Sequence, residues 1–94
     1  MTIASLEQFK GYIRELENDL DPTLQLALES ASAEVRHFLG FDPAEAVEPD
    51  IVMACCLLAQ AHVDAGTPSD NDHRREAAYR LLRPHRVHDG IAAA

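Results

Sequence analysis

Cations are scarce in this chain: eight lysines and arginines stand against sixteen aspartates and glutamates, for a formal charge of −8. A general nucleic-acid binder needs a basic footprint to neutralise phosphates, so the balance argues against that class. No window approaches the ~20 apolar residues of a membrane span, and the opening MTIASLEQ has neither a basic start nor an apolar signal core. The expected site of synthesis and residence is the cytosol, with no membrane partner. Cysteine is confined to the adjacent Cys55 and Cys56, which cannot build a disulfide framework and read as two small core thiols. There is no glycine-rich phosphate loop, no G-x-S-x-G and no HExxH. The sixteen carboxylates single out no acid/base pair, and their default role is a solvated, mutually repelling surface. No enzyme activity, cofactor or metal is expected. Strand alternation, internal repeats and low-complexity blocks are also missing, which leaves an all-α fold.

Helical periodicity is what the chain does have. Ninety-four residues suffice for one domain, because a second core could not offset the entropy of ordering its own chain. The stretch 49–66, PDIVMACCLLAQAHVDAG, carries no formal charge between Ile51 and Val63. A helix apolar around most of its circumference must be covered on several sides. The expected fold is therefore a small four-helix domain packed around this third helix, spanning residues 1–84 and followed by a poorly buried tail, 85–94.

The boundaries follow from local signals. Ser5 and Gln8 form a capping box for a first helix over about 6–16, with Phe9 able to pack back onto Ile3 or Ala4 and a stripe of Leu6, Phe9, Ile13 and Leu16. Gly11 weakens that helix, and a close helix–helix approach would be one reason for it. Asp21 and Pro22 open a second helix over 22–39, the aspartate as cap and the proline in the first turn; Leu24, Leu28, Ala31, Val35 and Phe38 face inward and Gly40 closes it. Pro49 restarts the chain as the third helix, about 50–65, with Glu48 at the cap and Gly66 at the end. TPSDN at 67–71 reads as a linker, and a fourth helix over 72–83 puts Ala78, Leu81 and Leu82 inward until Pro84 stops it.

Three constellations invite chemistry, and each has a plainer reading. His62 lies on the Ile51, Cys55 and Leu58 side of the third helix, where a hydrogen-bonded core histidine is expected; a catalytic base would need an orienting acid that spacing does not identify. Cys55, Cys56 and His62 fail as a zinc site, since adjacent helical cysteines diverge by about 100 degrees and a structural zinc needs four ligands. The second and third helices resemble a helix-turn-helix only in outline, because residues 51–63 offer a DNA groove no basic side chain.

Charge is polarised along the chain. The first 50 residues hold eleven acids against Lys10, Arg14 and Arg36, whereas residues 73–94 hold Arg74, Arg75, Arg80, Arg83 and Arg86 against Glu76 and Asp89. An acidic body with a basic end suits head-to-tail contact between copies or docking on a charged partner.

Taken together, SLEQFKGYIREL with its Leu6 to Lys10 opening, the alanine-rich DPTLQLALESASAEVRHFLG, the apolar helix beginning at proline and the closing LLRPHR resemble the small head–tail connector (adaptor) proteins of tailed bacteriophages. The closing Leu81-Leu82-Arg83-Pro84-His85-Arg86 is the sharpest part, with His85 where the family commonly has tyrosine. The connection FDPAEAVE is shorter than the family's excursion at that point. The resemblance implies a non-enzymatic virion component at the head–tail interface, made in the bacterial cytoplasm. Its copies would form a ring that docks on the phage portal protein, meets a further head-completion or tail protein, and passes DNA without sequence-specific binding. Arg80, Leu81, Leu82, Arg83, Pro84, His85 and Arg86 would then belong to the partner interface. A small helical DNA-binding or regulatory protein, or an unrelated interaction module, is the alternative.

Overall fold

A computed structural model describes residues 2–14, 19–43, 48–63 and 68–86. Those residues form four α-helices, α1 (Leu6–Ile13), α2 (Asp21–Leu39), α3 (Pro49–Val63) and α4 (Pro68–Leu82), followed by a single 3-10 turn, Arg83–His85. No strand occurs among them. The fold is all-α. α3 is its centre: it packs along both α2 and α4, touches α1, and separates α2 from α4, which meet only sparsely.

Composition explains that placement. Ile51, Ala54, Cys55, Cys56, Leu58 and Ala59 of α3 are buried, and Val52, Leu57 and Val63 pack against them from the margins. α2 contributes Leu24, Ala27, Leu28, Ala31, Val35 and Leu39, with Leu39 rather than Phe38 completing the buried stripe. Phe38 is only half-buried, which leaves its ring available at the surface. Ser32 is the buried polar residue of this core; its hydroxyl accepts the Ile3 amide at 2.9 Å and lies 3.5 Å from Cys55 Sγ. A buried hydroxyl without such partners would cost about 1–3 kcal/mol. The same bond fastens Ile3 and Ala4, both buried, ahead of α1.

α1 starts on the expected capping box: the Gln8 amide donates to Ser5 Oγ at 3.0 Å and the Ser5 amide to Gln8 Oε1 at 2.9 Å. It ends earlier than the apolar spacing suggested, at Ile13, because Arg14 turns left-handed (φ 60°) and caps back to Gly11 and Lys10. Leu16 lies outside the described residues. Gly11 is exposed, and a Cβ there would meet nothing within 4 Å, so no close helix approach requires it.

Asp21 is not the cap of α2. It occupies the first helical position behind Leu20 and pairs with Lys10 Nζ at 2.8 Å, tying α2 to α1. α4 also begins earlier than expected, at Pro68 instead of 72. Proline, serine and aspartate suit a helix's first turn as well as a linker, since proline there loses no needed amide and Asp70 faces the positive dipole end. The expected ends of α3 at Ala65 and Gly66, and the tail beyond Arg86, lie outside the described residues. No helix among the described residues is long and apolar enough to cross a membrane.

Candidate functional site: a basic, aromatic-floored cleft beside the C-terminal turn

The segment 80–86 does not behave as one exposed strip. Leu82 is completely buried and Leu81 packs against the core, the inward positions that the spacing of the fourth helix predicts, so Leu82 anchors the segment. The reason is helical phase: Ala78 and Leu82, four apart, share the face that α4 turns toward α3. Arg80, Arg83, Pro84 and Arg86 are exposed. Arg80 is held by Glu76 one turn back at 2.9 Å, an exposed pair worth a few tenths of a kcal/mol.

His85 and Arg86, expected to begin a loose tail, are fastened to the body. Proline cannot donate to the helix ladder, so Pro84 tightens the chain into the 3-10 turn after Leu82 and swings His85 toward the start of α3. There His85 Nε2 lies 2.7 Å from Asp50 Oδ2. The bond to His85 holds the Asp50 carboxyl below its usual range. The Arg86 guanidinium stacks over the Phe38 ring, 4.8 Å from its centroid. Such a contact contributes about 0.5–1 kcal/mol at an exposed site.

These anchors frame a cleft of about 360 Å³, lined by Glu34, His37, Phe38, Tyr79, Arg83 and Arg86. Phe38 and Tyr79 make its floor, ring centroids 4.9 Å apart and tilted by 45°. Glu34 braces that floor: its Oε2 accepts from Arg75 Nη1 at 2.6 Å and from the Tyr79 hydroxyl. Burial, with the bond to Glu34 second, pushes the Tyr79 phenol above its ordinary pKa. His62 reaches the other oxygen of Glu34 at 3.5 Å. It stands at the surface and not in the core, because a polar ring near a carboxylate keeps both hydration and a charge partner that burial would remove. One carboxylate on α2 thus joins α3 and α4.

Sequence reasoning missed Glu34, Phe38 and Tyr79. The available signal was a pair of matching ladders, Glu34 and Phe38 four apart on α2 against Arg75 and Tyr79 four apart on α4. His37 lines the same cleft. No carboxylate pairs with Arg83, Arg86 or His37 among the described residues, although the other arginines on α2 and α4 are engaged. No group of three or more histidine, cysteine, aspartate or glutamate side chains that could hold a metal occurs among the described residues. Cys55 and Cys56 are buried free thiols; burial raises both, Cys56 to about 12, which makes them poor nucleophiles.

Comparison with protein-family models, with curated proteins and with solved structures gives no match.

Proposed function

We propose that this chain is a non-enzymatic assembly subunit of the bacteriophage head–tail adaptor type, which forms a ring of its own copies, docks on a portal protein and extends the DNA channel toward the tail. The observation that carries the reading is the build of the 80–86 segment. Leu82 is sunk in the core and His85 is tied to Asp50, while Arg80 projects from the last turn of α4 and Arg83 and Arg86 from the fixed turn that follows it. A basic edge presented on a rigid support loses little conformational entropy on docking, which favours assembly contacts. The acidic remainder of the molecule supports the channel role, since a wall of net negative charge repels phosphates and lets DNA pass without being trapped.

The experiment is in vitro joining of filled heads to tails with purified subunit. Reversal of charge at Arg80, Arg83 and Arg86 together abolishes joining while leaving helix content unchanged by circular dichroism. Joining at the wild-type level by that variant contradicts the reading.

A further inference from the structure

We infer that the aromatic-floored cleft is the receiving half of a head-to-tail contact between copies of this chain, and that its occupant is the acidic turn at Asp19 and Leu20 of the next copy. The inference rests on the ring-forming part of the proposal above and names the partner of that site.

Charge points to the occupant. The chain carries twice as many acids as cations, yet Arg83 and Arg86 converge on a cleft whose lining carboxylate, Glu34, is already engaged by Arg75 and Tyr79, and His37 stands beside them. In so acidic a molecule an arginine left unpaired beside an aromatic floor is positioned for a carboxylate from outside. Arg86 already lies over the Phe38 ring, 4.8 Å from its centroid, a contact that uses none of its N–H donors. The ligand suited to such a cleft has an apolar group for the floor and a carboxylate next to it.

One described feature of the chain matches that chemistry at a distance that prevents it from reaching its own cleft. Leu20 is 50 % exposed at the N-terminal end of α2, and Asp19 beside it is exposed with no cation paired to it among the described residues. Residues 14–21 hold Glu15, Glu17, Asp19 and Asp21 against Arg14 alone. The cleft lies at the other end of the same helix, where His37 and Phe38 occupy the last turn. Nineteen residues of α2 separate the two ends by about 28 Å. A donor at one end and a receptor at the other make a heterologous contact, which closes into a ring when the rotation between copies permits. Leu26 is more exposed, but it sits on the flank of α2 in a shallow groove of its own with Thr23, Ser30, His62 and Val63 and presents no turn to insert.

The test uses the full chain and two variants that damage opposite ends: Asp19→Ala with Leu20→Ala, and Arg83→Glu with Arg86→Glu. Self-association is followed by sedimentation and by amide chemical shifts at millimolar protein in low salt, where exposed charges are least screened. On concentrating the wild type, the amides of Asp19, Leu20, Phe38, Tyr79 and Arg83 shift together. Each double variant alone associates about tenfold or more weakly. Mixed in equal amounts, the two give a discrete dimer that does not grow, because one intact donor then meets one intact cleft. Leu26→Ala associates like the wild type. The inference is overturned if concentrating the wild type shifts neither end, if either double variant associates as the wild type does, or if the mixture fails to recover a dimer. Addition of portal separates this outcome from the broader reading. Portal-dependent assembly that is lost in the Arg83 and Arg86 double variant but survives in the Asp19 and Leu20 double variant rejects the contact and keeps the adaptor function; self-association that follows the pattern above without any binding to portal does the reverse.

Discussion

His85 Nε2 stands 2.7 Å from Asp50 Oδ2, so the residue that follows Pro84 closes back on the first turn of the central helix. The C-terminal turn is thereby a strap across the end of α3 and α4. Because this bond holds Asp50 below its ordinary 3.8, the carboxylate stabilises the fold at pH values above that figure, and the contribution is lost as pH falls through the lower folded-state value. Asp50→Asn is therefore expected to lower the melting temperature at neutral pH, with the gap from wild type closing below about pH 4. Thermal melts across that range check it. A gap that is constant down to strongly acidic pH would show that the strap does not depend on the Asp50 charge.

Glu34 is the second tie, and it is a more consequential one for the cleft. Glu34→Ala leaves the Arg75 guanidinium and the Tyr79 hydroxyl, both partly buried, without their acceptor. The expected loss is about 1–3 kcal/mol in chemical denaturation, against about 0.5–1.5 kcal/mol for Tyr79→Phe, which removes a single bond. Burial first, and the Glu34 carboxylate second, hold the Tyr79 phenol above its ordinary value of 10.0, so its titration moves part of the way down in Glu34→Gln. Ultraviolet titration of the phenol reads this directly. A folded-state tyrosine retains its proton longer than the unfolded one, so unfolding is favoured as pH rises beyond the ordinary tyrosine range.

The thiols give a prediction of the opposite kind, an absence of reactivity. Cys55 and Cys56 are buried and both are raised, Cys56 to about 12. Alkylation followed by mass spectrometry is expected to label neither in the native protein near neutral pH and both in denaturant, since the thiolate is the reactive species. Labelling of either thiol at the rate of a free cysteine without denaturant would mean that α3 is not the covered centre of the fold.

Much of the fold was legible because its signals are local. The apolar spacing from Leu24 to Val35, the prolines at 22 and 49 and the left-handed Gly40 each act within one helix, and each element appears where those residues put it. The central position of α3 was legible from its lack of charge. The two misplaced boundaries have a common cause, since Pro68 with Asp70 suits a turn or a helix start, and Arg14 gives no sequence sign of a left-handed conformation. At the candidate site, the resemblance singled out 80–86 as a unit and helical spacing turned Leu81 and Leu82 inward, but neither shows what the polar members pair with. Whether Leu82 or Leu81 is buried depends on the phase of α4 against α3, and the partners of His85 and Arg75 lie 35 and 41 residues away. Such pairings are decided by tertiary packing, and no spacing rule within one helix contains them.

The proposed function has this chain assemble with copies of itself on a portal ring through its fixed basic edge. Light scattering on the purified protein, alone and then mixed with portal, tests it most directly. The account predicts a discrete ring or an assembly that forms when portal is added, and loss of that species on charge reversal at Arg83 and Arg86. A protein that stays monomeric in both conditions would contradict it.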